Sequence, residues 1–116
     1  MDNTINKSLM KKSCILELVV YKIKPEATEK YKTDTIDFFR KLIKAFDGFI
    51  SYEFFQSYRD NEIFMDLVSW NTIENAELAA KKVKEIQKGI EFKDYIESFE
   101  KVEVFNHFKF IDNWKN

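Results

Sequence analysis

His107 is the only histidine in the chain, so any imidazole acid or base must be this residue. By alternation along the strands it shares a sheet face with Glu17, Tyr21, Glu53, Asp66 and Trp70, provided the strand register follows the apolar pattern. Carboxylates, a phenol and an imidazole between aromatic walls could bind a phenolic molecule and take its proton. The electron-rich anion could then react with oxygen with no cofactor. The same residues fit a second reading, in which the polar groups satisfy one another across a subunit interface. Trp70 is either a ligand wall at the mouth of a cavity between sheet and helix or a packing residue at a strand end. Tyr21 and Tyr52 either hydrogen-bond a ligand carbonyl or hold structural partners.

Other chemistries find less support. One histidine and one cysteine, on different strands, provide no zinc or iron spacing, which leaves a carboxylate-only set of Glu17, Glu53 and Asp66 as the sole metal reading. Two glycines cannot build a phosphate-binding loop, and no cofactor is expected. Cys14 has no evident neighbouring base and reads as a small buried hydrophobe. Lys and Arg number 19 against 20 Asp and Glu, so no global field draws nucleic acid or an anionic membrane. The run Lys81, Lys82, Lys84, Glu85, Lys88 is a solvated helix face. No window approaches the roughly 18 apolar residues of a membrane span. Lys7, Lys11 and Lys12 precede an apolar run as in a secretory signal, but Glu17 interrupts it and no small-residue cleavage site follows. A single cysteine permits no intrachain disulfide, which fits a cytoplasmic protein.

These residues need elements to position them. Residues 1–12 are polar and without periodicity, a lead-in to a single domain over 13–116. Strand one, Ser13 to Lys24, sets Leu16, Leu18 and Val20 against Ile15, Glu17, Val19, Tyr21 and Ile23. Pro25 opens a helix whose apolar face runs through Tyr31, Thr35, Phe38, Phe39, Leu42, Ile43 and Phe46, closed by Asp47 and a left-handed Gly48. Strand two, Phe49 to Tyr58, puts Ile50, Tyr52 and Phe54 on one face and Ser51, Glu53, Phe55 and Ser57 on the other. Arg59, Asp60 and Asn61 turn the chain. Strand three, Glu62 to Trp70, sets Phe64, Asp66, Val68 and Trp70 against Ile63, Met65, Leu67 and Ser69. Asn71 with Glu74 resembles a capping box for a second helix with Ile73, Ala76, Ala80, Val83, Ile86 and Ile90 inward. Gly89 weakens it, and a short amphipathic segment follows through Phe92, Tyr95, Ile96 and Phe99. Strand four, Lys101 to Ile111, sets Val102, Val104, Asn106, Phe108 and Phe110 against Glu103, Phe105, His107, Lys109 and Ile111.

The order is β-α-β-β-α-β, an α+β, ferredoxin-like arrangement with an antiparallel sheet and helices on one side. The other sheet face keeps apolar residues with no helix to cover them. Twelve Phe, five Tyr and two Trp in 116 residues are also many for a two-layer monomer. A homodimer, its two sheets closing into a barrel, is the simplest solution.

The element order, the GFISYEFFQS strand, the Ser69-Trp70 pair closing strand three and the capped alanine-containing helix resemble the dimeric α/β-barrel superfamily, and within it antibiotic-biosynthesis-monooxygenase-like domains. The resemblance runs from about Ile15 to Ile111. It implies a family with cofactor-independent oxygenases acting on polycyclic aromatics, haem-degrading enzymes and enzymes of small signalling molecules. By that likeness Trp70 lies beside a ligand pocket that takes a small aromatic or apolar molecule. Two positions depart from the family pattern. Many catalytic members carry a histidine on the helix after the tryptophan, where this chain has Ala79 or Ala80. Haem-degrading members use an asparagine on strand one, and strand one here has none, which argues against haem degradation. A non-catalytic ligand-binding or structural dimer is the alternative.

Overall fold

The computed structural model describes residues 14–116, so the lead-in, the Lys7, Lys11 and Lys12 cluster and Ser13 lie outside the described residues. Four strands, β1 (Ile15–Ile23), β2 (Phe49–Gln56), β3 (Ile63–Trp70) and β4 (Phe99–Lys109), form one antiparallel sheet in the order β2-β3-β1-β4. The helices are α1 (Thr28–Lys30), α2 (Ile36–Ile43), α3 (Ile73–Ile86) and α4 (Lys93–Ser98). This is the expected ferredoxin-like α+β order, and its core lies between one sheet face and the helices: Tyr21, Ile23, Phe64, Val68 and Trp70 meet Tyr31, Ile36, Phe39, Ala76 and Tyr95.

The first helix is not uniform. A π-helical turn, Tyr31–Thr35, separates α1 from α2, and the Ile36 N–H bonds to the Tyr31 carbonyl. The extra residue moves the inward stripe on by one position, so Ile36 is buried where the 3.6-residue pattern pointed to Thr35, and Phe38 is left 45% exposed. The helix also ends at Ile43, so Gly48 is not its cap. Its positive φ of 84° serves the turn into β2, where its carbonyl accepts from Asn71 N–H at 2.9 Å.

Three register shifts, one in β2 and two along β4, alter the facing pattern. In β2 the pairing steps from Phe49 opposite Trp70 to Ser51 opposite Ser69, which sets Phe49 and Tyr52 on the helix side and leaves Ile50 between them, 38% exposed. In β4 the shift beside Val20 and Tyr21 pairs Val102 with Tyr21, so Val102 joins Phe105 and His107 instead of Val104. The strand starts two residues earlier than expected because Phe99 already pairs with Ile23. On α3 the N-cap is Thr72, whose hydroxyl accepts from Asn75 N–H, while Asn71 Oδ1 takes the Asn75 side-chain amide. Ala76, Ala79 and Val83 are its buried residues; Ile73 and Ile86 are half out and Ile90, beyond the helix, is exposed.

The sheet face away from the helices is apolar and bare. It carries Leu16, Leu18 and Val20 of β1 with Met65 and Leu67 of β3, flanked by Phe55, Val104 and Phe108, each more than 40% exposed.

A Cβ at position 48 would lie 2.4 Å from Asn71 Oδ1 and 2.6 Å from Asn75 Nδ2, on a backbone that L-residues avoid. Gly48→Ala is expected to lower stability by at least about 1–2 kcal/mol, from the left-handed conformation alone. Gly89, at φ −70°, is the control. Gly89→Ala should change the chemical-denaturation midpoint little by comparison, and equal midpoints for the two variants would contradict the account.

Candidate functional site

Between the sheet and the helices lies a cavity of about 500 Å³, open on the β4 side. Its floor is the helix-facing row of the sheet: Glu17, Val19 and Tyr21 from β1, Asp66, Val68 and Trp70 from β3, and Tyr52 from β2. Phe39 and Ile43 of α2, with Ala79, Ala80 and Val83 of α3, form the roof. The two alanines matter because a short side chain there leaves volume that a larger one would fill. Phe105 and Val102 flank the opening. Phe38, Phe54 and Phe92 do not fill the space: Phe38 packs on Phe92 at 4.9 Å and Phe54 stacks on Phe64 at 5.3 Å.

Five of the expected pocket residues, Glu17, Tyr21, Tyr52, Asp66 and Trp70, line this one space. Glu53 does not. It pairs with Leu67 on the far side of the sheet and is exposed, because it neighbours Tyr52 in a regular stretch of β2 and alternation turns it to the opposite face. That also dissolves the carboxylate-only metal set, and among the described residues no three His, Cys, Asp or Glu side chains converge on a point. Trp70 lines the wall of the cavity and is 1% exposed, deeper than the mouth position expected of it. Cys14 is buried.

His107 is not in the lining. It sits opposite Glu17 in the β1–β4 ladder, and its Nε2 lies 3.0 Å from Glu17 Oε1. Burial raises the Glu17 carboxyl above its ordinary range; the histidine, and the nearby Trp70 indole, act in the opposite direction. The Trp70 indole influences that carboxyl, yet its Nε1 is buried with no hydrogen-bond partner of good geometry. A buried donor left unpaired is costly and uncommon.

The deeper polar group is a relay that sequence reasoning only half found. Tyr31 Oη donates to Tyr21 Oη at 2.7 Å, Tyr21 Oη donates to Asp66 Oδ1 at 2.7 Å, and Tyr52 Oη donates to Asp66 Oδ2 at 2.5 Å. Tyr21, Tyr52 and Asp66 were identifiable because alternation sets them on one sheet face. Tyr31 was identifiable only as an apolar-face residue of the first helix. Burial pushes all three phenols up, so they stay protonated: Tyr21 and Tyr52 donate to the carboxylate and Tyr31 donates to Tyr21. Burial also lifts Asp66 to about 6, against the two tyrosine hydrogen bonds, which lower it.

The sign of the Asp66 effect follows. Its folded titration, at about 6, lies above the ordinary 3.8, so between those values the folded state holds more protons than the unfolded state. Its stabilising contribution is present below that window and is lost as pH rises through it, a change on the order of 3 kcal/mol. Asp66→Asn should therefore flatten the stability-against-pH curve between pH about 4 and about 6 relative to wild type. Unfolding midpoints across that range would check it, and parallel curves would contradict it.

No family model matches the chain, and no curated protein sequence matches it significantly. Solved structures do match. A candidate antibiotic biosynthesis monooxygenase from Bordetella bronchiseptica superposes with a TM-score of 0.66 at 14% identity, over 85% of this chain and 98% of that one. A variant of SnoaB, a cofactor-independent oxygenase from Streptomyces nogalater, gives 0.59 at 8% identity over 89% and 96%. A conserved Bacteroides thetaiotaomicron protein of unknown function, suggested to be an oxidoreductase, gives 0.54 at 23% identity over 85% and 99%. The chain thus has the fold of the antibiotic-biosynthesis-monooxygenase-like proteins that its sequence resembles.

Proposed function

We propose that this protein binds a small aromatic or otherwise apolar molecule in the cavity between sheet and helices, and that it does so as a cytoplasmic homodimer. The observation that carries the reading is a walled, largely apolar space of about 500 Å³ with a few convergent polar groups and an unpartnered indole N–H in its wall. A site of that size suits a molecule of a few fused or linked rings. The dimer follows from the bare apolar face. Leu18 lies at its centre, between Leu67 of β3 and Asn106 of β4, and a second copy presenting the same face would remove these side chains from water. The cytoplasm suits a chain with one cysteine, and no described helix is long and apolar enough to cross a membrane.

One arrangement favours catalysis over storage. Glu17 faces the cavity with His107 behind it, so the carboxylate can accept a proton from a weakly acidic ligand while the imidazole shares the charge. A ligand anion formed there could give electrons to dioxygen directly, and the Streptomyces neighbour is a cofactor-independent oxygenase. His107 is then a positioning residue and Glu17 the base. The non-catalytic alternative keeps the same pocket and lacks turnover.

Native mass spectrometry of freshly purified protein tests assembly and occupancy together. The expected species has twice the 14.0 kDa chain mass, with a few hundred daltons of non-covalent mass on part of the population. A monomer at micromolar concentration would overturn the dimer. Leu18→Arg should convert dimer to monomer with the far-ultraviolet circular dichroism unchanged. Once a ligand is in hand, Glu17→Gln should cut turnover by about a hundredfold or more with binding retained. His107→Ala should lower it less and move its pH profile. Turnover unaffected by Glu17→Gln would assign the pocket to binding alone.

A further inference from the structure

Asp66 has no cation in direct contact inside the cavity, and this constrains what can bind. Two carboxyl groups, Glu17 and Asp66, reach the same apolar space and sense one another. Glu17 has His107 on its solvent side. Asp66, 4% exposed, has only the neutral hydroxyls of Tyr21 and Tyr52. The Arg40 guanidinium lowers the Asp66 pKa from a distance but forms no ion pair with it, standing 5.4 Å from the Tyr52 ring centroid and 3.8 Å from Asp37. Lys84 and Lys101 belong to the exposed rim, where the Lys101 ammonium pairs with Glu103 at 3.1 Å.

Hydroxyl donors satisfy the geometry of a carboxylate but do not neutralise it. Buried charges in proteins are normally paired with a charge of the opposite sign or with a metal. The surrounding surface is the kind that receives an organic cation, since Tyr21, Tyr52, Trp70, Tyr95, Phe99 and Phe105 present aromatic rings to the same space. Trp70 adds a second demand. Its Nε1–H, buried beside Glu17 with no partner of good hydrogen-bond geometry, is open to a lone pair from the occupant or from a water that the occupant retains.

Resting on the pocket proposed above, we infer that its ligand is an organic ammonium ion: an apolar, ring-containing body whose protonated amine lies between Asp66 and Glu17 and whose oxygen or retained water accepts from Trp70. Anionic molecules of the same size bind more weakly, because they bring further negative charge into an apolar space that already holds two carboxyl groups.

A set of three nearly isosteric probes tests this on the intact protein: 4-phenylbutylamine, 4-phenylbutan-1-ol and 4-phenylbutanoate. Trp114, 90% exposed in the tail, is the only other tryptophan, so Trp114→Phe leaves Trp70 as the sole indole reporter of occupancy. At neutral pH the amine should bind at least about tenfold more tightly than the alcohol, and the carboxylate most weakly. Asp66→Asn should bring the amine down to the affinity of the alcohol. Binding of the alcohol or the carboxylate as tight as that of the amine would overturn the ammonium assignment and leave the pocket standing. If none of the three binds, the pocket reading falls with it. An amine preference that survives intact in a folded Asp66→Asn protein would also overturn the assignment. Should that variant not fold, the wild-type ranking of the three probes still decides.

Discussion

Asp66 carries a carboxyl into an apolar interior because β3 turns every second residue toward the helices, and 66 falls in the same phase as Phe64, Val68 and Trp70. Once there it must be satisfied. Tyr21 on β1 and Tyr52 on β2 donate to its two oxygens, and Tyr31, from the π turn of the first helix, donates to Tyr21. One side chain thus ties three strands and a helix together by directional bonds, which apolar packing alone would not orient. Removing any member leaves a buried polar atom unpaired, so the set is constrained as a unit.

The cavity exists because the layers do not close completely over that relay. Ala79 and Ala80 give α3 a low surface where larger residues would have met the sheet. The π turn lets Tyr31 reach the strands and turns Phe38 outward, toward Phe92, instead of into the interior. The aromatic core is dense around this space, with Phe39 stacked on Tyr95 at 4.4 Å and Tyr21 packed on Phe99 at 4.9 Å, so the walls are rigid while the middle stays open.

The two faces of the sheet answer different needs. The helix side combines aromatic bulk with buried acid, a costly mixture whose hydrogen-bonding demand the hydroxyls of Tyr21 and Tyr52 meet. The far side is aliphatic at its centre and aromatic at its margins, with Ser69 buried among these side chains, which is the composition of a surface that meets another surface.

Periodicity alone determined the element order, the antiparallel sheet and the sharing of one face by Glu17, Tyr21, Asp66 and Trp70, because a strand alternates its sides with period two whatever lies around it. The partnership of Glu17 with His107 was also within reach, both being on the inward face. Tertiary structure decided the rest, wherever a single inserted residue changes phase. The bulge in β2 separates Ile50 from the face that alternation assigned to it, the bulge in β4 brings Val102 to the cavity, and the π turn exchanges Thr35 for Ile36. Such insertions carry no local signature, since they relieve twist and packing strain between elements distant in sequence. Nor could the chain by itself indicate that the Trp70 N–H would be left without a partner, because that depends on how closely residues from separate strands approach in three dimensions.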